Sequence, residues 1–195
     1  MPRRSAAPTK RPGGRSARVA ASVHASVLAL LAAQGYQALS VPDVAKRAGV
    51  HETSIYRRWR NKAGLVSDVI IRNASEHVPA ADTGAFSSDI VALLRKVVAR
   101  LATPLGNAVS QLVASQDPDL GRLRHAYWES RLTVVAEIVE RAKSRGELPR
   151  SVEPRLVMEM FSGPIMLRLT SGKQVSARYI HELVRRVTAG LKDAT

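Results

Sequence analysis

Residues Ser40–Lys62 read SVPDVAKRAGVHETSIYRRWRNK, and this stretch decides the fold. Ser40-Val41-Pro42-Asp43 is a helix start: Ser40 caps from its side chain, Pro42 is tolerated in the first turn, and Asp43 is the third residue of a capping box. Val44, Ala45 and Ala48 then fall on one helical face, and Gly49 follows, permitting the left-handed backbone that stops a helix and turns the chain. Val50 is an apolar plug after the turn. A second short helix carries Ile55 and Trp59 four apart on its inner face, while Thr53, Ser54, Arg57, Arg58 and Arg60 fill much of the rest. Two short helices joined through a glycine turn, with a small residue, Ala45, where they cross and a basic second helix, describe a helix-turn-helix rather than an ordinary corner in a bundle.

Charge points the same way. The 195 residues carry 30 Lys+Arg against 16 Asp+Glu, a net charge of +14. Residues 1–75 hold 13 Lys+Arg and 3 Asp+Glu, so most of the basic field belongs to the part containing the helix-turn-helix. Double-stranded DNA is the partner this favours, with a membrane surface the weaker alternative. Apolar residues make up 45% of the chain, enough to bury a core. Cysteine is absent, which excludes a disulfide framework and thiolate metal sites and fits a cytoplasmic location.

Working outward, residues 1–16, MPRRSAAPTKRPGGRS, read as a disordered basic arm, either entering a minor groove or serving as a solubilising tail. Residues 17–34 combine a basic start with an apolar run, as a signal peptide does. Ser22, His24 and Ser26 interrupt that run, however, and Val19, Val23, Val27, Leu30 and Leu31 share a helical face. The expectation is therefore a first core helix ended by Gly35-Tyr36, and no membrane span. Helices at 17–34, 41–48 and 52–58 share a core of Val27, Leu30, Leu31, Leu39, Val44, Ile55 and Trp59, and Asn61 caps a fourth that runs to about Glu76.

Several pairs within Ala32–Leu65 now stand at telling spacings: Gly35-Tyr36, Val44-Ala45, Ala48-Gly49-Val50, Ile55-Tyr56, the Tyr56-Arg57-Arg58-Trp59 run and Lys62-x-x-Leu65. The segment resembles the DNA-binding domain of TetR/AcrR-type transcriptional regulators over roughly residues 17–75. His51 departs from the commoner Ser at the recognition-helix cap, and Gly64, in place of an acidic or small residue, is expected to loosen the start of helix four. The resemblance implies that Ser40 and the first-turn amides of helix two, Val41 included, face a phosphate, and that Lys62 reaches another. Thr53 and Ser54 lie early on the recognition helix, where side chains reach base edges. Tyr56 is a phosphate contact through its hydroxyl, and Arg57 either reads a guanine edge or meets phosphate only. Trp59 reads as core in preference to contact, and His51 as a cap or a phosphate contact.

The rest, 77–195, reads all-helical. Val78–Gly84 is a linker, and helices follow at about 86–102 and 105–115. A long helix begins after Asp117-Pro118 and runs to about Ser144; an Arg145–Pro149 turn, which recurs in the family, precedes the last two helices at about 152–170 and 175–191. The expected fold is all-α with about nine helices: a basic arm at 1–16, a helix-turn-helix domain at 17–76 with three core helices, and a helical ligand-binding and dimerisation domain at 77–195. The last two helices look apolar on more than one side, as a buried bundle or a homodimer face would. Tyr127, Trp128, Met158, Phe161 and Met166 either line a pocket for a small-molecule effector or simply fill the core, while His125, Glu129 and Arg131 orient a polar group or face solvent.

What the resemblance implies is a ligand-responsive repressor that binds a palindromic operator as a homodimer; the residues alone reach a DNA-binding helical protein with a second helical domain. A non-specific basic nucleic-acid binder is the alternative. An enzyme is not expected. No metal-ligand cluster, phosphate-cradling glycine loop or Gly-x-Ser-x-Gly elbow is present, no cofactor is expected, and His24, His51, His77, His125 and His181 are scattered.

Overall fold

The computed structural model is described here for residues 14–77 and 80–192. Among these residues it has nine α-helices, one short 3-10 turn and no strand. The helices are α1 (Arg15–Ala38), α2 (Val41–Ala48), α3 (Glu52–Trp59), α4 (Lys62–His77), α5 (Phe86–Leu101), α6 (Pro104–Ala114), α7 (Gly121–Ser144), α8 (Pro154–Thr170) and α9 (Ala177–Lys192). The basic arm and Val78-Pro79 lie outside the described residues, except that Arg15 and Ser16 already belong to α1.

The local signals act as their chemistry requires. The Ser40 hydroxyl accepts from the Asp43 amide at 3.2 Å and donates to the Asp43 carboxylate, so the capping box closes on the hydroxyl. Gly49 sits at φ 67°, ψ 38° and ends α2 in the left-handed conformation. At Gly35 the backbone leaves the helical region (φ 72°, ψ −179°), but the chain resumes helical turns, and α1 runs to Ala38 rather than stopping at 34. The long helix expected after Asp117 is instead split into a 3-10 turn, Pro118–Leu120, and α7. His51 precedes α3 but makes no side-chain cap.

Two apolar clusters form. The first gathers Val23, Val27 and Leu31 of α1 with Leu39, Val44, Ile55, Trp59 and the inner face of α4; Leu30 is only partly buried against it. This core is not closed by the helix-turn-helix domain alone. Val109 and Leu112 of α6, with Leu120 and Leu123 at the start of α7, complete it, so α1 packs on α6 and α4 on α7. Among the described helices α1 alone is long and apolar enough to cross a membrane, and here it is a central core helix with Val23 and Val27 at 0% exposure. The second cluster draws on α5 and α7–α9 around Phe86, Ile138, Val157, Phe161 and Ile180.

The Arg145–Pro149 turn has a task that its local sequence does not reveal. Gly146 takes φ 72°, and Glu147 swings across to accept the first-turn amide of α5, Phe86, at 2.7 Å. Arg145 donates to the other oxygen of the same carboxylate. Burial works against the charged form, but the Arg145 guanidinium and the Phe86 amide hold the Glu147 carboxyl below its ordinary range. A carboxylate whose pKa is lower folded than unfolded contributes stability above the unfolded value and loses it as pH falls through the folded one. Glu147→Gln is therefore expected to cost about 1 kcal/mol at neutral pH, as loss of a charged helix cap does. In urea melts the gap to the unsubstituted protein closes as pH drops below about 4.5, where the free carboxyl protonates.

Candidate nucleic-acid interface and helical-bundle cavity

Helix α3 is the core of the first site. Ile55 (1% exposed) and Trp59 (9%) anchor its inner face, and this fixes which residues point out: Glu52, Thr53, Tyr56, Arg57 and Arg58 are exposed and Ser54 is half-buried. Tyr56 keeps 45% of its surface. The last turn of α2 adds the exposed cations Lys46 and Arg47. The structure thus puts Thr53, Ser54, Tyr56 and Arg57 on one short helix whose far side is locked. Short, rigid and basic on its outer face, such a helix suits a major groove.

Of the other expected contacts, Ser40 stands at the α2 N-terminus with its hydroxyl engaged by Asp43. The Val41 side chain is buried at 5% exposure, so only its backbone can meet a phosphate. The Lys62 ammonium donates to the Gln37 carbonyl at 3.2 Å and rests 4.3 Å from the centroid of the Tyr36 ring, which ties the start of α4 to the end of α1. Gly64 does not loosen α4, contrary to expectation. Its amide is capped by Asn61 Oδ1 at 2.8 Å, and a Cβ there would stand 2.5 Å from the Trp59 carbonyl oxygen, so glycine is what lets α4 start against the end of α3.

Asp68 of α4 is a functional support that the sequence did not single out. It accepts the Trp59 indole N–H at 2.9 Å and Arg72 Nε at 3.0 Å, while His24 Nε2 of α1 lies 3.3 Å away, out of line for a hydrogen bond. Burial opposes its charge, but the Trp59 and Arg72 hydrogen bonds hold its carboxyl below the ordinary range. Burial likewise pushes the His24 pKa down, keeping the ring neutral at pH 7. One carboxylate therefore joins α1, α3 and α4. Its only sequence signal is a Trp and an Asp nine apart across a turn, which is not distinctive.

The second site is a cavity of about 100 Å³ among α5, α6, α7 and α8. Tyr127, Trp128, Met158, Phe161 and Met166 all line it. Tyr127 and Trp128 meet edge to face, with centroids 5.4 Å apart. Tyr127 also packs against the first apolar cluster, so it borders both cores. Arg131 lines the cavity too, whereas His125 and Glu129 lie in an adjoining surface groove beside Arg155, which donates to Glu129 at 2.8 Å. Arg100, not singled out in the sequence, lines the cavity and donates to Asn73 Oδ1 of α4, linking the second cluster's helices to the helix that carries Asp68. Among the described residues no group of three His, Asp or Glu side chains is placed to hold a metal.

The locked α3 and the separate cavity define a DNA-binding regulator, and comparison with known proteins agrees. Residues 26–69 match the family model "Bacterial regulatory proteins, tetR family", and residues 80–187 match "Tetracyclin repressor-like, C-terminal domain". The HTH-type transcriptional regulator AqdR of Rhodococcus erythropolis is 30% identical over 90% of this chain and 86% of its own. The DNA-binding transcriptional repressor TetR of Mycobacteroides abscessus is 28% identical over 84% of this chain and 88% of its own. A crystal structure of the TetR family transcription regulator SCO0332 superposes with a TM-score of 0.76 at 27% identity, covering 89% of this chain and 98% of that one. The chain belongs to the TetR family: it is a DNA-binding transcriptional regulator and not an enzyme.

Proposed function

We propose that this regulator is a cytoplasmic, ligand-responsive repressor that binds a palindromic operator as a homodimer. The observation that carries the reading is the physical continuity from cavity to recognition helix. Arg100 and Tyr127 border the cavity and touch α4 or its core, and α4 holds α3 through the Asp68–Trp59 hydrogen bond. A ligand that binds better when α4 is displaced lowers DNA affinity by the same factor by which DNA lowers ligand affinity. Dimerisation through α8 and α9 is supported by Leu156 and Leu167 of α8, 51% and 68% exposed, which stand out among the large apolar side chains. A dimer sets two short recognition helices on two half-sites about one helical turn of DNA, or a multiple of it, apart.

Arg57 and Tyr56 test the DNA assignment. Arg57→Ala is expected to weaken binding to the operator by about 1–3 kcal/mol, the range of a bidentate base contact. Tyr56→Phe removes one hydroxyl and costs less, about 1 kcal/mol. A titration in which both variants bind as tightly as the parent protein removes α3 from the interface. A non-specific basic binder would lose only salt-dependent affinity with Arg57→Ala, equally on every sequence.

A further inference from the structure

The cavity's chemistry narrows the class of molecule it takes. Its wall is apolar apart from Arg100, Arg131, Tyr127 and two serines, Ser110 and Ser162, and no carboxylate is among the lining residues. Two guanidinium groups from different helices, α5 and α7, thus face one largely apolar space. Burial is the main influence lowering the Arg131 pKa, and the neighbouring Arg100 cation pushes the same way while Tyr127 opposes it. Arg131 lies over the Tyr127 ring with its guanidinium carbon 5.7 Å from the centroid, and Arg100 gives a hydrogen bond to a neutral amide, Asn73. Cations in such a setting gain from an anion in proportion to the water they have lost. Trp128, Met158 and Met166 offer the adaptable apolar surface for the rest of a ligand. With Ser162 they also line the groove crossed by the Arg155–Glu129 pair, so the cavity is reached between α7 and α8.

We infer that the cavity binds amphipathic anions, with an apolar or aromatic body against Trp128, Met158 and Met166 and a single acidic head between Arg100 and Arg131. This rests on the reading of the cavity as a ligand site. The test pairs two probes that share one aromatic body: anilinonaphthalene sulfonate, which carries an anion, and phenylnaphthylamine, which is neutral. Each is titrated into the full-length protein, following probe emission and the quenching of Trp128, with Trp128→Phe as the control for location. The sulfonate is expected to bind at least about tenfold tighter than the amine, a gap of about 1.4 kcal/mol. Arg131→Met abolishes that preference while leaving affinity for the amine within about twofold, which also shows that the variant is folded. Arg131→Lys keeps most of the preference, because it keeps the charge. Equal affinities in the unsubstituted protein, or a preference that survives both Arg131→Met and Arg100→Met, overturn the anion assignment and leave a neutral-ligand cavity. Failure of both probes to bind and quench Trp128 overturns the ligand-site reading beneath it.

Discussion

Trp59→Ala is expected to remove about 3–5 kcal/mol of stability, the usual cost of deleting a large buried aromatic. That is a large part of the total for a domain of this size. Trp59 is 9% exposed within the first apolar cluster, and its indole is the donor that Asp68 holds at 2.9 Å. The substitution both opens a cavity beneath α3 and removes one partner from a part-buried carboxylate. Arg58, whose guanidinium carbon lies 4.9 Å from the centroid of the Trp59 ring, also loses its platform. Urea unfolding should show a midpoint far below that of the unsubstituted protein, with DNA binding lost alongside. Trp59→Phe, which fills most of the space but has no N–H, should fall between. A Trp59→Ala protein of undiminished stability that has nonetheless lost DNA binding would make Trp59 a DNA contact, the option its sequence position leaves open.

Gly106→Ala should be as damaging, against the usual sign. Alanine in place of glycine within a helix ordinarily gains up to about 1 kcal/mol. Here a Cβ would stand 1.9 Å from the Arg100 carbonyl oxygen and 3.1 Å from Leu101 Cα, both backbone atoms that no rotamer change can move. The turn from α5 into α6 is tight because Thr103 caps α6, accepting the Gly106 amide at 3.0 Å, and Pro104 follows at its first turn. Relief requires α6 to back away from α5, which pulls Val109 and Leu112 from the first core and deforms a wall of the cavity. A loss above about 4 kcal/mol is expected, the range reserved for such specific clashes. Thermal melts that show Gly106→Ala equal to or more stable than the parent would mean that α5 and α6 do not approach this closely.

These two positions also show what the sequence could and could not tell. The caps are local chemistry: Ser40, Asp43 and Gly49 announce α2 because each acts on backbone within four residues, and the same holds for Asn61 and Asp117. Periodicity placed Ile55 and Trp59 inward and therefore Thr53, Tyr56 and Arg57 outward. It also grouped Tyr127, Trp128, Met158, Phe161 and Met166, which do share one cavity. What stayed hidden are contacts between distant segments. Glu147 meets Phe86 across 61 residues, and the Ser22 hydroxyl donates to the Ala48 carbonyl across 26. The contribution of Val109 and Leu112 to the first core was equally hidden, since a helical period shows that a face is buried but not against what. Gly64 and Gly106 carried no sign of their purpose, because a close approach of backbones leaves no mark except the missing side chain.

The central claim is that the exposed face of α3 reads a DNA sequence, and selection from a random duplex library by the purified protein at physiological salt tests it most directly. The account predicts enrichment of a two-fold symmetric pair of half-sites, bound at least about a thousandfold more tightly than unselected DNA. Arg57→Ala should erase much of that ratio. If no sequence is enriched and every duplex binds alike with a steep loss in salt, the protein is a basic nucleic-acid binder without an operator and the account is wrong.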